Sequence, residues 1–216
     1  MSNIFEGLAI SGISVNPSTV YRWVSHYGRG MDAYMNTITP QVRGKWHADE
    51  VIIMMGGSDL YVMAMADGQT RYWLPYDLIQ SKNTADAKIP FRNAMGLAGK
   101  TPSILVTDKL AAYTRAYLDE YAAKNDLHKQ CYHIFEIHVQ DQKQNKTERF
   151  NGTIKKYRAW RALKKNSPSL LLFRTYCSHA RRHQSLNDRT PREAAGVIIE
   201  GPDKMRTIIE NTACAA

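Results

Sequence analysis

The chain has 216 residues and carries 29 Lys or Arg against 20 Asp or Glu, a formal net charge of +9. That length suits one domain with a small appendage, a hydrophobic content of 44% excludes a disordered chain, and the basic excess favours a polyanionic partner, most often nucleic acid. Three cysteines without C-x-x-C spacing exclude a disulfide framework and a zinc ribbon, and the sequence holds neither a signal-peptide pattern nor an apolar run that would span a bilayer, so a soluble chain in a reducing cytoplasm is expected.

Residues 1–30 read as a small module. Asn16 and Pro17 begin a helix expected to run to about Tyr27, with Gly28 to end it. Val20, Trp23 and Val24 fall at core spacing, leaving Ser18, Thr19, Arg22 and Ser25 outward. Short polar residues at a helix N-terminus suit base edges and phosphates, the layout of a recognition helix; an ordinary amphipathic helix has the same pattern. Residues 31–45 read as a connector punctuated by Pro40 and Gly44.

From Trp46 the pattern turns to strands. "WHADEVIIMM" and "LYVMAMA" are joined by the turn "GGSD", and "DG" at 67–68 leads into a third run, "QTRYWLP". A helix follows from about Asn83 to Leu97, with Pro90 placed to kink or divide it. "PSILVTD" is a short buried strand ending at Asp108. "KLAAYTRAYLDEYAAK" is a helix with Leu110, Tyr113, Tyr117 and Tyr121 at helical spacing, and "QCYHIF" is a fifth strand. Helices are expected over about 148–163 and 168–182. This order predicts an α/β fold, a mixed sheet flanked by helices of the ribonuclease H-like type, over 46–200, with a tail at 201–216.

Three acids stand out in that frame. Asp49 interrupts an apolar strand, Asp108 ends a buried one, and Glu148 is the single acid in "KQNKTERFNGTIKKYRAWRALKK", which holds nine Lys or Arg residues. In this strand order the first strand lies beside the fourth, which makes Asp49 and Asp108 neighbours and leaves Glu148 to be delivered by a late helix. Adjacent carboxylates repel unless a divalent metal holds them, and hard oxygen donors suit Mg²⁺ or Mn²⁺, as a pair of ions for phosphoryl transfer. Lys155 lies on the Glu148 face of its helix, and Lys156 and Arg158 would reach the flanking DNA backbone. His179 and His183 have a spacing able to bind zinc, but Arg181 and Arg182 lie between them, which favours DNA contact or packing. His128, Cys131, His133 and His138 are scattered by strand alternation and are not read as a zinc site. His47 shares the Asp49 strand face.

The segments "WHADE", "LVTDKLAAYTRA" and "NKTERFNGTIKKYRAWR", with "HARRHQSLNDRTPREAAG" after them, resemble the DDE-type insertion-sequence transposases of the group related to insertion sequence six and to retroviral integrases. The resemblance covers roughly residues 10–196. It implies Asp49, Asp108 and Glu148 as catalytic, metal-binding acids, with Asn145 and Arg149 flanking the last of them. The interval from Asp108 to Glu148 is longer than the family's most common one, so Glu136 and Asp141 stay open as third acids. The family further implies Mg²⁺-dependent cleavage at element ends, 3′-hydroxyl strand transfer into target DNA, double-stranded DNA as partner (terminal inverted repeats and target), at least a homodimer, and a prokaryotic, nucleoid-associated setting. The helix-turn-helix at 1–30 is short for the family and reads as truncated. A nuclease without strand transfer, and an inactive or truncated DNA-binding regulator of transposition, are the competing readings.

Overall fold

The computed structural model describes residues 10–55, 58–122, 130–135 and 169–214. A long helix, α1 (Pro17–Asn36), precedes the strands β1 (Lys45–Met55), β2 (Ser58–Asp67) and β3 (Asp77–Ile79). Then come α2 (Thr84–Ala98), β4 (Ile104–Thr107), α3 (Ala111–Glu120) and β5 (Tyr132–Phe135). The chain ends in α4 (Ser169–Thr175), which runs on as a π-helical turn over Tyr176–Ala180, then α5 (Pro191–Ala194) and α6 (Lys204–Cys214). The helices expected after β5, with Glu148 and its basic neighbours, lie outside the described residues as far as 168.

The five strands form one mixed sheet in the order β3-β2-β1-β4-β5. β1 and β2 pair antiparallel, as do β2 and β3, while β4 runs parallel to both β1 and β5. The parallel pairs need crossovers, which α2 and α3 supply. Strand alternation then divides the core into two layers. Trp46 and Ala48 of β1, with Met63 and Met65 of β2, pack under α2 and α3 against Phe91, Tyr113 and Tyr121. Val51 and Ile53 point the other way and meet Leu170, Phe173 and Cys177 beside Trp73. The sheet with helices on both faces is the ribonuclease H-like architecture expected from the strand and helix order.

Local chemistry explains the element ends. The Asn16 side chain accepts from the Ser18 N–H at 2.9 Å and Pro17 opens α1. Asn83 caps α2 in the same way, accepting from the Asp86 N–H at 2.8 Å, and Gly99 closes it in the left-handed region at φ 65°. α2 is continuous through Pro90, which is buried.

Three expectations are corrected. Gly28 does not end α1, and the helix crosses the expected boundary at residue 30 to reach Asn36. Gly28 and Gly30 are there for close packing: a Cβ on Gly28 would sit 2.8 Å from Leu172 Cγ, and one on Gly30 2.5 Å from Thr212 Cγ2. On the same helix Trp23 is exposed, whereas Ser25, expected outward, is buried. The third strand is Asp77–Ile79 and not "QTRYWLP", which touches the sheet through the single bridge Ala66↔Trp73. There the Asp67 carboxylate binds the Thr70 N–H and hydroxyl, Arg71 takes a positive φ of 60°, and the Trp73 N–H is claimed by the Ser178 hydroxyl at 3.2 Å. Near the C-terminus, Ile208 of α6 packs with Met31 and Met35 of α1.

Candidate active site

The parallel register of the two central strands places the acids. Trp46 lies opposite Leu105 and His47 opposite Val106. Two residues further on, Asp49, still within β1, and Asp108, just past the carboxyl end of β4, lie side by side, where α/β folds commonly hold ligands. Asp49, Glu50 and Asp108 each offer a carboxylate oxygen, and these atoms lie within 4.8 Å of one another. All three residues are half-buried. Asp49 Oδ1 accepts from the Glu50 N–H at 2.8 Å, and Asp108 Oδ1 accepts from the Leu110 N–H at 3.0 Å, at the start of α3. Thr107, just before Asp108, is buried, and its hydroxyl meets His133 Nε2 of β5 at 2.8 Å. The turn that presents Asp108 is thereby fixed from both neighbours.

Glu50 belongs to the opposite strand face from Asp49. It sits on the layer of Met63 and Tyr113, while Asp49 pairs with Ala64 on the other layer. Its carboxylate accepts from the Tyr113 hydroxyl and from the Lys82 ammonium. Lys82 lies between β3 and α2 and stands 4.9 Å over the centre of the Tyr61 ring. The hydrogen bond to Glu50 raises the Lys82 pKa above its ordinary value, and the Glu50 and Asp108 charges act in the same direction. Burial raises the Tyr113 pKa strongly, reinforced by the Glu50, Asp108 and Asp49 carboxylates, so the phenol stays protonated and donates.

The sequence-predicted residues divide as follows. Asp49 and Asp108 come together, whereas Glu148, Lys155, Lys156, Arg158, Arg149 and Asn145 lie outside the described residues, as do Glu136 and Asp141. On α1, Ser18 and Arg22 are exposed and Thr19 is half-buried. Arg181 and Arg182 are exposed just after the π-helical turn. His179 is buried with its ring edge-on to Tyr72 at 5.6 Å, and burial, with Arg192 and Arg174 nearby, holds its pKa well below the ordinary value. Packing is its role, and His183 has a lowered pKa from burial too. His47 lies over Gly68, where a Cβ would come within 2.8 Å of its Nε2. Glu50, Lys82 and Tyr113 are the residues that sequence reasoning missed. For Glu50 the signal was present, a second acid in "ADEV"; Lys82 sits in an aperiodic stretch that gives none.

Comparison with known proteins bears on both the fold and the family. A chain of the simian T-cell lymphotropic virus intasome, solved in complex with PP2A regulatory subunit B56 gamma, superposes with a TM-score of 0.56 at 14% identity, over 77% of this chain and 61% of that one. The chain thus spans less than two thirds of that intasome chain's length. The HTLV-2 integrase catalytic core domain, solved in complex with magnesium, superposes with a TM-score of 0.53 at 14% identity, over 73% of this chain and 98% of that one. At these identities the likeness is one of fold. A search of curated protein sequences found no match. The family model of the DDE domain, of the IS240 transposase type, matches residues 43–182, from just before β1 to just past the π-helical turn. By that match, which includes the paired Asp49 and Asp108, the chain belongs to the DDE-domain transposase family.

Proposed function

We propose that the chain is a DNA transposase that cuts at the ends of its element and joins the freed 3′-hydroxyl to target DNA, with Asp49, Asp108 and Glu148 as its metal-holding acids. One observation carries this reading: the β1–β4 register puts the Asp49 and Asp108 carboxylates together at a strand end. Half-buried carboxylates this close are costly without a cation. Their hard oxygen donors fit Mg²⁺ or Mn²⁺. Bound as a pair, such ions would supply charge stabilisation to both the attacking and the leaving oxygen of an in-line displacement.

The chain's own residues position the substrate. Lys155, Lys156, Arg158, Arg149 and Asn145 hold the phosphate backbone beside Glu148. Ser18, Thr19 and Arg22 on α1 and the exposed Arg181 and Arg182 extend the contact along the duplex. Two DNA ends must be held at once, so the working form is at least a homodimer, bound to terminal repeats and target DNA in a prokaryotic cytoplasm. Among the described residues, no helix is long and apolar enough to cross a membrane.

The test is incubation with labelled DNA carrying the element's ends, a target plasmid, and Mg²⁺ or Mn²⁺. Joined products are expected, falling by at least about a hundredfold in Asp49→Asn, Asp108→Asn and Glu148→Gln, since several kcal/mol of charge stabilisation is lost. DNA binding without cleavage in either metal overturns the enzyme reading in favour of a regulator. Cleavage without joining reduces it to a nuclease. Cleavage that survives Glu148→Gln moves the third acid to Glu136 or Asp141.

A further inference from the structure

Beside the acids stands a cation that the proposed chemistry does not use. Lys82 is two-thirds covered, with its side chain 33% accessible, and it is paired with a Glu50 side chain that is only 9% accessible. Its position is fixed from three sides: the Glu50 carboxylate in front, the Tyr61 ring beneath, and the start of α2 two residues on. Glu50 is held as firmly, because Tyr113, itself buried in the core, donates to its second oxygen. Both Glu50 oxygens are therefore engaged, one by a hydroxyl and one by an ammonium.

We propose that Lys82 is a resident counter-cation of the acidic cluster: it weakens divalent-ion binding while DNA is absent and, with Tyr113, keeps Glu50 out of the metal-ligand set. This rests on the reading of Asp49 and Asp108 as metal-holding acids. The physical argument is charge. Three carboxylates within 4.8 Å repel one another, and the Lys82 charge offsets one of them without a metal. The same charge repels an incoming divalent ion over a few ångströms. An arriving DNA phosphate adds negative charge and restores the attraction, so metal loading becomes coupled to DNA binding. Lys82 is thus a positioning residue, acting on the metal through the local field and through Glu50.

Calorimetric titration of the DNA-free chain with Mn²⁺ tests this without any turnover. Wild type should bind weakly and Asp108→Asn not measurably. Lys82→Met should bind at least about tenfold more tightly, the effect expected of removing one unit charge about 5 Å from a divalent ion at a screened, water-like dielectric, and Lys82→Arg should match wild type. The double variant Glu50→Gln/Lys82→Met leaves no unpaired charge behind and serves if Lys82→Met alone fails to fold. It keeps the net charge of the cluster, so it should bind within about threefold of wild type. Unchanged or weaker binding in Lys82→Met overturns the proposal and leaves the metal reading intact. Binding more than about tenfold weaker in the double variant makes Glu50 a ligand and also overturns it. Absence of Mn²⁺ binding in wild type, while Lys82→Met also fails to bind, overturns the metal reading itself and this proposal with it.

Discussion

Asp49 and Glu50 are adjacent in the chain and face opposite layers of the sheet, and that alternation gives them different chemistry. Asp49 and Asp108 were legible in the sequence because one interrupts an apolar strand and the other ends one, and strand order alone predicts that they meet. Glu50 was visible only as a second acid beside Asp49, and its role was not, because its partners come from two other elements: Tyr113 reads as one more apolar position of α3, and Lys82 belongs to no periodic pattern. The Tyr113 hydroxyl is the testable part. Tyr113→Phe keeps the ring that stacks near Phe91 (centroids 6.2 Å apart) and deletes only the donor to Glu50. It should cost about 1–3 kcal/mol, the range for a hydrogen bond to a charged, largely buried group. Urea denaturation in metal-free buffer measures it, and a loss below about 0.5 kcal/mol would mean that solvent replaces the phenol.

At the level of elements, the misread pieces share a cause: a local signal overridden by a distant neighbour. Gly28 carries the usual sign of a helix end, yet it is buried within α1 because α4 approaches too closely for a side chain. "QTRYWLP" reads as a strand, yet Asp67 folds its start into a turn and Ser178 holds the Trp73 N–H that faces away from β2, while the Tyr72 carbonyl and the Leu74 N–H bond to β2. Among the elements read correctly, which include β5, the elements β1, β2, α2, β4 and α3 are those whose periodicity agrees with their packing. Gly28→Ala separates the local from the tertiary effect. Alanine gains about 1 kcal/mol in an isolated helix, whereas overpacking costs about 1–3 kcal/mol. Because the first atom met is Leu172 Cγ, a branch point and not a free tip, the clash should win, with a net loss of about 1 kcal/mol. A double-mutant cycle with Leu172→Ala should return a coupling of at least about 0.5 kcal/mol. An additive cycle would assign the glycine to local backbone needs instead.

Across the whole molecule, the two ends of the described chain are fastened together beside α4. α1 meets α6 through Met31, Met35 and Ile208, and it meets α4 through the buried Arg174, which binds Asp32 and Asn36 at 3.0 Å each. α6 is tied back by the ion pair between Lys204 and Glu193, and Glu193 also completes the capping box with Thr190 that starts α5. Burial would raise the Glu193 pKa, but the Lys204 and Thr190 hydrogen bonds outweigh it and bring the value down to about 2, from 4.5. A carboxyl with a depressed folded-state pKa adds stability above its unfolded value and loses it as the pH falls towards the folded one. The fastening of α6 should therefore hold at neutral pH and weaken between about pH 4.5 and about pH 2. Glu193→Gln removes the titrating group, so its stability at pH 7 should fall below wild type while the difference between the two narrows across that window. Denaturation midpoints at a series of pH values check this, with hydrogen exchange of the α6 amides as the local readout. A constant difference between the two proteins from pH 7 to pH 2 would show that the carboxylate charge is not what holds the C-terminal helix in place.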